Sequence, residues 1–418
     1  MTNRATQANL SRIYEDGLPN PECGSFRTDG VTLMGRGPTV SGVTPRGRPQ
    51  RGKDSPMSKL YIGLDVHSKM TRYAVQSEDG SMVAQGQIPT TPEGFRQLRD
   101  RCGVEPGTRV GMETGTMASY VARELQEQGL TPVVVSAYEV RAKAYRPLQK
   151  SDRRDAFEIC DGLRRDQYRA IVHIPPLPIQ RLRDTLARRR HFVRIQSAEV
   201  AAAKHLLRAS GRRHLSWQMR FESGWQKLLE RVDDARLVSE IEFHHRVWRA
   251  AGEQVEALNA SLVEQSKAFQ ADFELLQTVP GVGPVVALTV IASFSDARRF
   301  PSAKHVASYA GLVPSTNQSS DRDWHGHITK QGSMELRAML CEAAHHACRK
   351  EHPLNPYLAS LCARRGYKMA VVSVAHRLCR ILYAMLRDRT PFEIAELGIE
   401  VGPFEKKIVR PYRLKSRM

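Results

Sequence analysis

The sequence predicts an α/β domain, then a long helical spacer, then a mainly helical C-terminal domain. Strand-like segments alternate with helix-like segments from residue 60 onward. Between residues 178 and 278 the chain has almost no Gly or Pro, and apolar residues recur every seven positions. Farther on, apolar helical segments flank a turn rich in Gly and Pro. At 418 residues and 41% hydrophobic content, the chain can build more than one core.

The first predicted strand, within "LYIGLDVHSK" at 60–69, ends on the carboxylate of Asp65. A short run of branched and aromatic residues is typical of a strand covered on both faces. Burying an acid there is costly, so Asp65 is expected at the exposed strand end or beside a cation. A simple turn-forming Asp is the alternative.

Three consecutive antiparallel strands are predicted at 60–65, 71–76 and 82–88, because Asp79-Gly80 favours a hairpin between the last two. A short helix follows, with Thr91 as its N-cap and Gly103 at its end.

The second half of this domain alternates strand, helix and strand. The fourth strand, "TRVGMETG", ends on Glu113, a helix ends at Gly129, and "TPVVVSA" is the fifth strand. Alternation of this kind implies parallel strands, so the sheet is predicted to be mixed. A basic helical stretch containing "KSDRRDA" comes next.

Four carboxylates fall at comparable places in this pattern: Asp65, Glu113, Asp152 and Asp155. Parallel strand ends open into one crevice, and a spacing of three puts Asp152 and Asp155 on one helical face. Gathered carboxylates repel one another unless a cation binds them. Oxygen ligands suit Mg²⁺ or Mn²⁺, and two such ions can hold both oxygens of a phosphodiester displacement.

The basic neighbours of the helical acids are candidates for binding nucleic acid: Lys150, Arg153 and Arg154. The alternative is that they only pair with Asp152 and Asp155 on a solvated helix.

The spacer carries two seven-residue apolar series: Ile179, Leu186, Val193, Val200 and Leu207, then Ile241, Trp248, Val255, Leu262, Phe269 and Leu276. Several intervening d positions are polar, namely Arg189, Gln196 and Gln265. We expect an intermolecular coiled coil; an intramolecular hairpin is the alternative. The basic run holding Arg188, Arg189 and Arg190 is expected to face phosphates, or else to be a solvated face.

In the C-terminal domain, the turn "PGVG" between apolar helices predicts a helix-hairpin-helix, in which Gly281 and Gly283 could bind a phosphate through their N–H groups. An ordinary tight turn is the alternative. A polar loop rich in hydroxyls follows, including Ser319. Cys341, His345 and Cys348 share a helical face, but an amphipathic core helix is favoured over a zinc site.

A net charge of +19 and a pI near 9.9 indicate a polyanionic partner, first of all nucleic acid. Seven scattered cysteines fit a reducing cytoplasm, and no segment is expected to span or bind a membrane. Residues 1–56 are predicted to be a disordered extension, and 392–418 a basic tail.

The motifs "GLDVHS", "METG" and "KSDRRDA", in this order, resemble the DEDD transposases of the 110/1111 group of insertion sequences. The resemblance extends to the C-terminal pattern "GLxP…S…G.ITK.G…LR", matched by Gly311, Leu312, Pro314, Ser319, Gly326, Ile328, Thr329, Lys330, Gly332, Leu336 and Arg337. The family's nucleophile aligns with Ser319, although Ser320 stands where the family usually has Gly.

The seven-residue series predict a coiled-coil spacer at 179–274. The resemblance implies a RuvC-type, ribonuclease H-like domain at 57–178 and a transposase domain at 275–391. It implies that Asp65, Glu113, Asp152 and Asp155 are metal ligands and that Ser319 is the nucleophile. Lys330 is expected to contact nucleic acid. The implied partners are donor and target DNA, a structured guide RNA, and further copies of the chain in a dimer or tetramer near the bacterial nucleoid. A stand-alone junction resolvase and a non-catalytic nucleic-acid-binding protein are the alternatives.

Overall fold

A computed structural model describes residues 59–143, 152–216, 219–319 and 322–393, without the side chains of Asp152, Arg153, 317–319 and 322–325. The predicted N-terminal extension, Lys150, Ser320 and almost all of the basic tail lie outside the described residues. The described residues belong to one compact unit.

The first domain contains the predicted mixed sheet of five strands, in the order β3-β2-β1-β4-β5. Neighbours β1–β2 and β2–β3 are antiparallel, whereas β1–β4 and β4–β5 are parallel. The strands are β1 Leu60–Val66, β2 Met70–Ser77, β3 Met82–Pro89, β4 Arg109–Glu113 and β5 Thr131–Val135. All five strands were therefore predicted from the sequence.

Helices cover both faces of this sheet: α1 Pro92–Cys102, α2 Ala118–Glu127, α3 Ala137–Lys143 and α4 Asp152–Arg164. One core joins α1 and α2 to the face that carries Ile62 and Leu64. A second core joins α4 to the face that carries Tyr61. The predicted boundaries of α1 are confirmed, because Thr91 accepts a hydrogen bond from Gly94 N–H and Gly103 adopts the left-handed φ of 58°.

The spacer is an antiparallel hairpin of two long helices within one chain, as the alternative expectation had it. The helices are α5 Leu177–Ala209 and α7 Ala235–Ser266, and the shorter α6, Glu222–Arg231, lies between them in sequence. The polar d positions bond across the hairpin. Gln265 donates to Thr185 Oγ1 (2.9 Å), Arg189 donates to Asn259 Oδ1 (2.7 Å), and Gln196 donates to the Trp248 carbonyl (3.3 Å). The polar side chains that interrupt the apolar seam therefore have hydrogen-bond partners within the same chain.

The C-terminal domain packs helices around a large apolar core that also takes in the start of α5. The helices are α8 Gln270–Gln277, α9 Pro284–Phe294, α10 Ala303–Tyr309, α11 Met334–His345, α12 Asn355–Arg365 and α13 Tyr367–Asp388. A two-stranded antiparallel sheet, β6 Pro314–Ser319 and β7 Arg322–Ile328, interrupts them.

Among the described residues, α13 is long and apolar enough by composition to cross a membrane, a test that the buried core helix of a globular protein also passes. Val374, Leu378 and Leu382 of this helix are fully buried in the C-terminal core. The apolar composition of α13 therefore matches its place at the centre of this domain.

Candidate active site

Asp65, the next-to-last residue of β1, and Glu113, the last residue of β4, lie at matching positions on two neighbouring parallel strands. Gly63 is opposite Gly111 and Leu64 is opposite Met112, so the two acids are the next residues on β1 and β4. Asp65 is only 7% exposed. Side chains alternate between the faces of a strand, and both acids therefore lie on the face that carries Gly63 and Gly111.

The two glycines let α4 lie directly on this face. A Cβ at Gly63 would be 2.2 Å from the Ala156 carbonyl oxygen and 2.4 Å from the Cys160 nitrogen. A Cβ at Gly111 would be 3.0 Å from Ile159 Cγ2. A side chain at Gly63 would therefore collide with the backbone of α4, whereas one at Gly111 would press on side-chain ends that can move.

Helix α4 runs antiparallel to β1, so its first turn lies at the edge where the strands end. Ala156 lies over Gly63, while Cys160 Sγ contacts the Tyr61 carbonyl farther back along the strand (3.2 Å). Arg164 at the far end donates to the Glu78 carbonyl in the β2–β3 turn (3.3 Å). Asp152, whose side chain is not described, and Asp155 therefore start the helix at the edge that carries Asp65 and Glu113.

Two residues beside Asp65 had no role in the sequence prediction. His67 Nε2 lies 3.0 Å from Asp65 Oδ2, and half of the His67 side chain is exposed. Arg72 on β2 is the register partner of Asp65. Of the two expectations for Asp65, an exposed strand end or a cationic partner, the low exposure and these two basic neighbours favour the second.

The donor set at this edge consists of carboxylates and suits a hard divalent cation. Asp65 is a nearly buried acid beside a second strand-end acid, which is an arrangement that a cation stabilises. On α4, burial and the neighbouring Asp155 raise the pKa of Glu158. Within the described ranges, no group of three or more His, Cys, Asp or Glu side chains lies at metal-binding distance.

Ser319 ends a β-strand, whereas the sequence predicted a polar loop here. In the β6–β7 hairpin, Ser319 is opposite Arg322 and Gln318 is opposite Asp323. The prediction missed the hairpin because its strands are polar, and polar strands lack the apolar alternation by which strands are recognised.

The glycines of the C-terminal motif hold the base of this hairpin. A Cβ at Gly311 would be 2.3 Å from the Gln331 carbonyl oxygen, and one at Gly332 would be 2.1 Å from the Tyr309 carbonyl oxygen. Arg337 donates to the Ala310 carbonyl (3.0 Å). The exposed Lys330 adopts a φ of 54°, which is unusual for a residue with a side chain.

The "PGVG" turn lies against α11 and against a buried histidine. Gly281 has a φ of 85°, and a Cβ there would be 2.9 Å from His346 Cβ. His352 Nδ1 accepts from Leu354 N–H, which leaves Nε2 to donate to the Pro280 carbonyl (2.9 Å). Burial lowers the pKa of His352 and favours this neutral form. Gly283 precedes α9, so the geometry of a tight helical turn is present; phosphate binding there stays a prediction.

The predicted basic residues lie in different surroundings. Arg189 is inside the spacer hairpin, where burial lowers the pKa of its guanidinium, whereas Arg188 is exposed. Arg190 lies close enough to Glu335 to lower the pKa of that carboxyl, although burial raises this pKa more. Arg153 and Arg154 are in the first turn of α4.

Two of the three residues weighed as zinc ligands, at and just after the end of α11, contact a tyrosine instead. His345 Nδ1 and Cys348 Sγ contact the Tyr367 hydroxyl, at 2.7 and 3.1 Å. No zinc-like group is found among the described side chains.

Two family models match this chain. One, described as a transposase of the DEDD type of IS110, matches residues 62–210; the other, described as transposase IS116/IS110/IS902 family, matches 273–359. Together they span more than half of the 418 residues.

Curated relatives agree with these matches. A "Probable family 20 transposase" of Pseudomonas aeruginosa is 28% identical over 347 residues, which cover 80% of this chain and 98% of the relative. The "Transposase for insertion sequence element IS1111A" of Coxiella burnetii is 26% identical over 284 residues, covering 66% and 77%. The "Pilin gene-inverting protein" of Moraxella bovis is 31% identical over 122 residues, covering 28% and 38%. This chain therefore belongs to the IS110/IS1111 transposases, the DEDD family of enzymes that cut and rejoin DNA.

Proposed function

We propose that this transposase cuts and rejoins DNA through a composite site of four Mg²⁺-binding acids and a serine nucleophile. The acids are Asp65, Glu113, Asp152 and Asp155, and the nucleophile is Ser319. One observation carries the proposal. Asp65 and Glu113 lie at matching positions at the ends of two parallel strands, and α4, which carries Asp152 and Asp155, begins at the same edge of the sheet. Bound Mg²⁺, or Mn²⁺, would neutralise the phosphate and stabilise the oxygens that attack and leave.

The serine step conserves the energy of the phosphodiester bond, because one ester linkage replaces another. Ser319 Oγ loses its proton and bonds to phosphorus, while one bridging phosphorus–oxygen bond breaks and the sugar oxygen leaves as a hydroxyl after taking a proton. The hydroxyl of another strand end then attacks this phosphoserine and releases the serine. Hydrolysis by water would instead leave free ends, which cannot be rejoined without a new energy source.

Lys330 supports the serine hairpin in this proposal. It is exposed at the base of the β6–β7 hairpin, with a left-handed backbone, where Gly311 and Gly332 lie against neighbouring backbone. A cation at this point would hold the phosphate backbone of the strand that Ser319 attacks. Gly281, Gly283, Arg154 and Arg188 are further proposed phosphate contacts.

The test is a protein–DNA adduct assay with labelled element ends, Mg²⁺ and denaturing gels. We expect the adduct to disappear in Ser319→Ala and to persist in Ser320→Ala and in Ser315→Ala, a control on the same strand. Asp155→Asn is expected to lower adduct formation at least about a thousand-fold through loss of metal. Glu158→Gln, one turn along α4, is the matched control and should keep activity.

Three outcomes would contradict parts of the proposal. Full cleavage by the double variant Asp152→Ala, Asp155→Ala would refute the metal site. An adduct lost only in Ser320→Ala would move the nucleophile by one residue. Recombination by the double variant Ser319→Ala, Ser320→Ala would refute serine catalysis.

We further propose a structured guide RNA from the element's non-coding end, in a complex that acts on DNA in the cytoplasm, at the nucleoid. The net charge of +19 supports a polyanion, and the family resemblance favours RNA in addition to DNA. A discrete RNA that copurifies from cells carrying the whole element, and whose removal stops recombination, would support the guide. Recombination by RNA-free protein would exclude it.

We propose that copies of the chain associate through the outer face of α7. Phe243 and Val247, one helical turn apart, are 59% and 46% exposed on this helix. Phe243→Asp with Val247→Asp should give smaller species in sedimentation, because charges do not fit an apolar contact. Val263→Asp, at an exposed apolar position elsewhere on α7, is the control. Leu262 is fully buried within the hairpin, so its substitution would unfold the spacer instead. A wild-type protein that is monomeric with and without DNA would refute this proposal.

A further inference from the structure

The junction between α12 and α13 exposes a short run of basic and aromatic residues. Every residue from 363 to 369 is exposed. Arg364 and Arg365 end α12, Gly366 turns the chain with a φ of 78°, and Tyr367 and Lys368 begin α13. We call Arg364, Arg365, Tyr367 and Lys368 the junction surface; it lies outside the residues to which the transposition chemistry has been assigned.

Tyr367 is exposed and yet held in place. Its hydroxyl contacts His345 Nδ1 (2.7 Å) and Cys348 Sγ (3.1 Å), and its ring centroid lies 5.8 Å from that of His345. The residue is nevertheless 46% exposed. The contact with Cys348 and, to a smaller extent, burial raise the pKa of Tyr367 to about 12. The side chain therefore stays uncharged at neutral pH. A fixed, open aromatic ring binds a planar ligand without losing much side-chain freedom.

The surroundings of this ring attract anions. Arg364 is braced by its own helix, since its guanidinium donates to the Ser360 carbonyl (3.3 Å). The first turn of α13 contains no acid and no side-chain cap, and it carries Lys368. The free N–H groups at the start of a helix add positive potential. Three exposed cationic side chains and a helix start therefore lie within three residues of one exposed ring in the chain.

We propose that the junction surface binds an unpaired DNA strand, with a base stacked on Tyr367 and phosphates on Arg364, Arg365 and Lys368. Aromatic side chains combined with a basic groove are how proteins bind single strands without reading their sequence. The bases of a duplex are already stacked on one another, so the open ring selects an unpaired strand. DNA is the chosen partner because strand exchange frees strands from their duplex. This inference rests on the family's action on DNA, and it is independent of the acids and of Ser319.

Binding to a short fluorescent oligothymidylate, followed by anisotropy, tests the proposal. Tyr367→Ala should weaken binding roughly ten-fold, the loss expected for one stacked base. Tyr367→Trp should bind nearly as wild type, since the ring is kept. Arg364→Gln with Arg365→Gln should lower the slope of log affinity against log salt by roughly 1.4, at about 0.7 per cation. The control is Arg96→Gln with Arg236→Gln, which removes two exposed arginines elsewhere.

Crosslinking shows whether the strand is at this surface. An oligonucleotide carrying 5-iododeoxyuridine should crosslink to Tyr367 in the wild type, with the peptide identified by mass spectrometry. Unchanged affinity in both Tyr367→Ala and the double arginine variant would overturn the proposal. Equal effects of these variants on duplex DNA, or effects confined to an RNA oligonucleotide, would also overturn it. Binding is measured without cleavage, so failure here would leave the metal and serine proposals intact.

Discussion

Asp65 and Glu113 end strands that are covered on both faces, whereas Ser319 ends a strand of a two-stranded sheet. The pairing of β1 with β4 fixes the positions of Asp65 and Glu113, and the close contact of α4 with Gly63 fixes the helix that carries Asp155. The serine hairpin is held at its base, where Gly311 and Gly332 lie against neighbouring backbone. A carboxylate set on a packed core suits a metal site, which needs fixed distances. A hairpin suits delivery of the proposed nucleophile to that proposed site, in the same or another copy of the chain.

The largest effect in this comparison is expected from Gly63→Ala. A methyl group there would lie 2.2 Å from the Ala156 carbonyl oxygen, so α4 must shift away from the sheet. We expect a loss of about 3 kcal/mol or more in the free energy of unfolding, measured by urea denaturation. Activity should fall at least about a hundred-fold in the folded fraction, because Asp155 moves with the helix.

Gly111→Ala is the matched control for Gly63→Ala. The added methyl would meet the ends of Ile159 and Leu163 side chains, at 3.0 and 3.2 Å, and these can move. We expect a loss of about 1 kcal/mol. Equal losses at the two glycines would show that α4 does not depend on the backbone contact at Gly63.

A smaller and more local effect is expected from Gly332→Ala. The residue combines a φ of 95° with a methyl position 2.1 Å from the Tyr309 carbonyl oxygen, so the base of the serine hairpin must rearrange. Adduct formation should fall roughly ten-fold or more, while the sheet domain keeps its protection in hydrogen exchange.

Gly107→Ala is the control for Gly332→Ala, because it introduces backbone strain without a steric collision. Gly107 has a comparable φ of 84°, but nothing lies within 4 Å of its methyl position. We expect it to lose about 1 kcal/mol of stability and to keep adduct formation. If Gly332→Ala formed adduct at the wild-type rate, the hairpin base would not position the nucleophile.

The regular elements of the first domain could be predicted because each has a local signal. Thr91 and Gly103 bound α1, and Asp79-Gly80 marks the hairpin between β2 and β3. The importance of Gly63 and Gly111 was missed, although "GLD" and "GME" repeat the same order of glycine and acid on two strands. A glycine in a strand indicates close approach, but the sequence does not name the approaching helix.

The seven-residue series in the spacer predicted two long helices with an apolar seam, but it did not determine the partner. Heptad periodicity is the same for an intramolecular and an intermolecular pair. The pairing became clear from contacts distant in sequence, such as Arg189 with Asn259 and Gln265 with Thr185.

The sequence by itself determined the strand and helix order of the first domain, the family, and the acids and serine proposed to act. These follow from local propensity, periodicity and motif spacing, all of which are written within short windows of the chain. Only the tertiary structure decided that α4 lies antiparallel on Gly63 and Gly111, and that Ser319 ends a hairpin. It also decided that His345 and Cys348 hold Tyr367. Such contacts depend on which surfaces pack together, and packing joins residues far apart in the sequence without a pattern in either segment that names its partner.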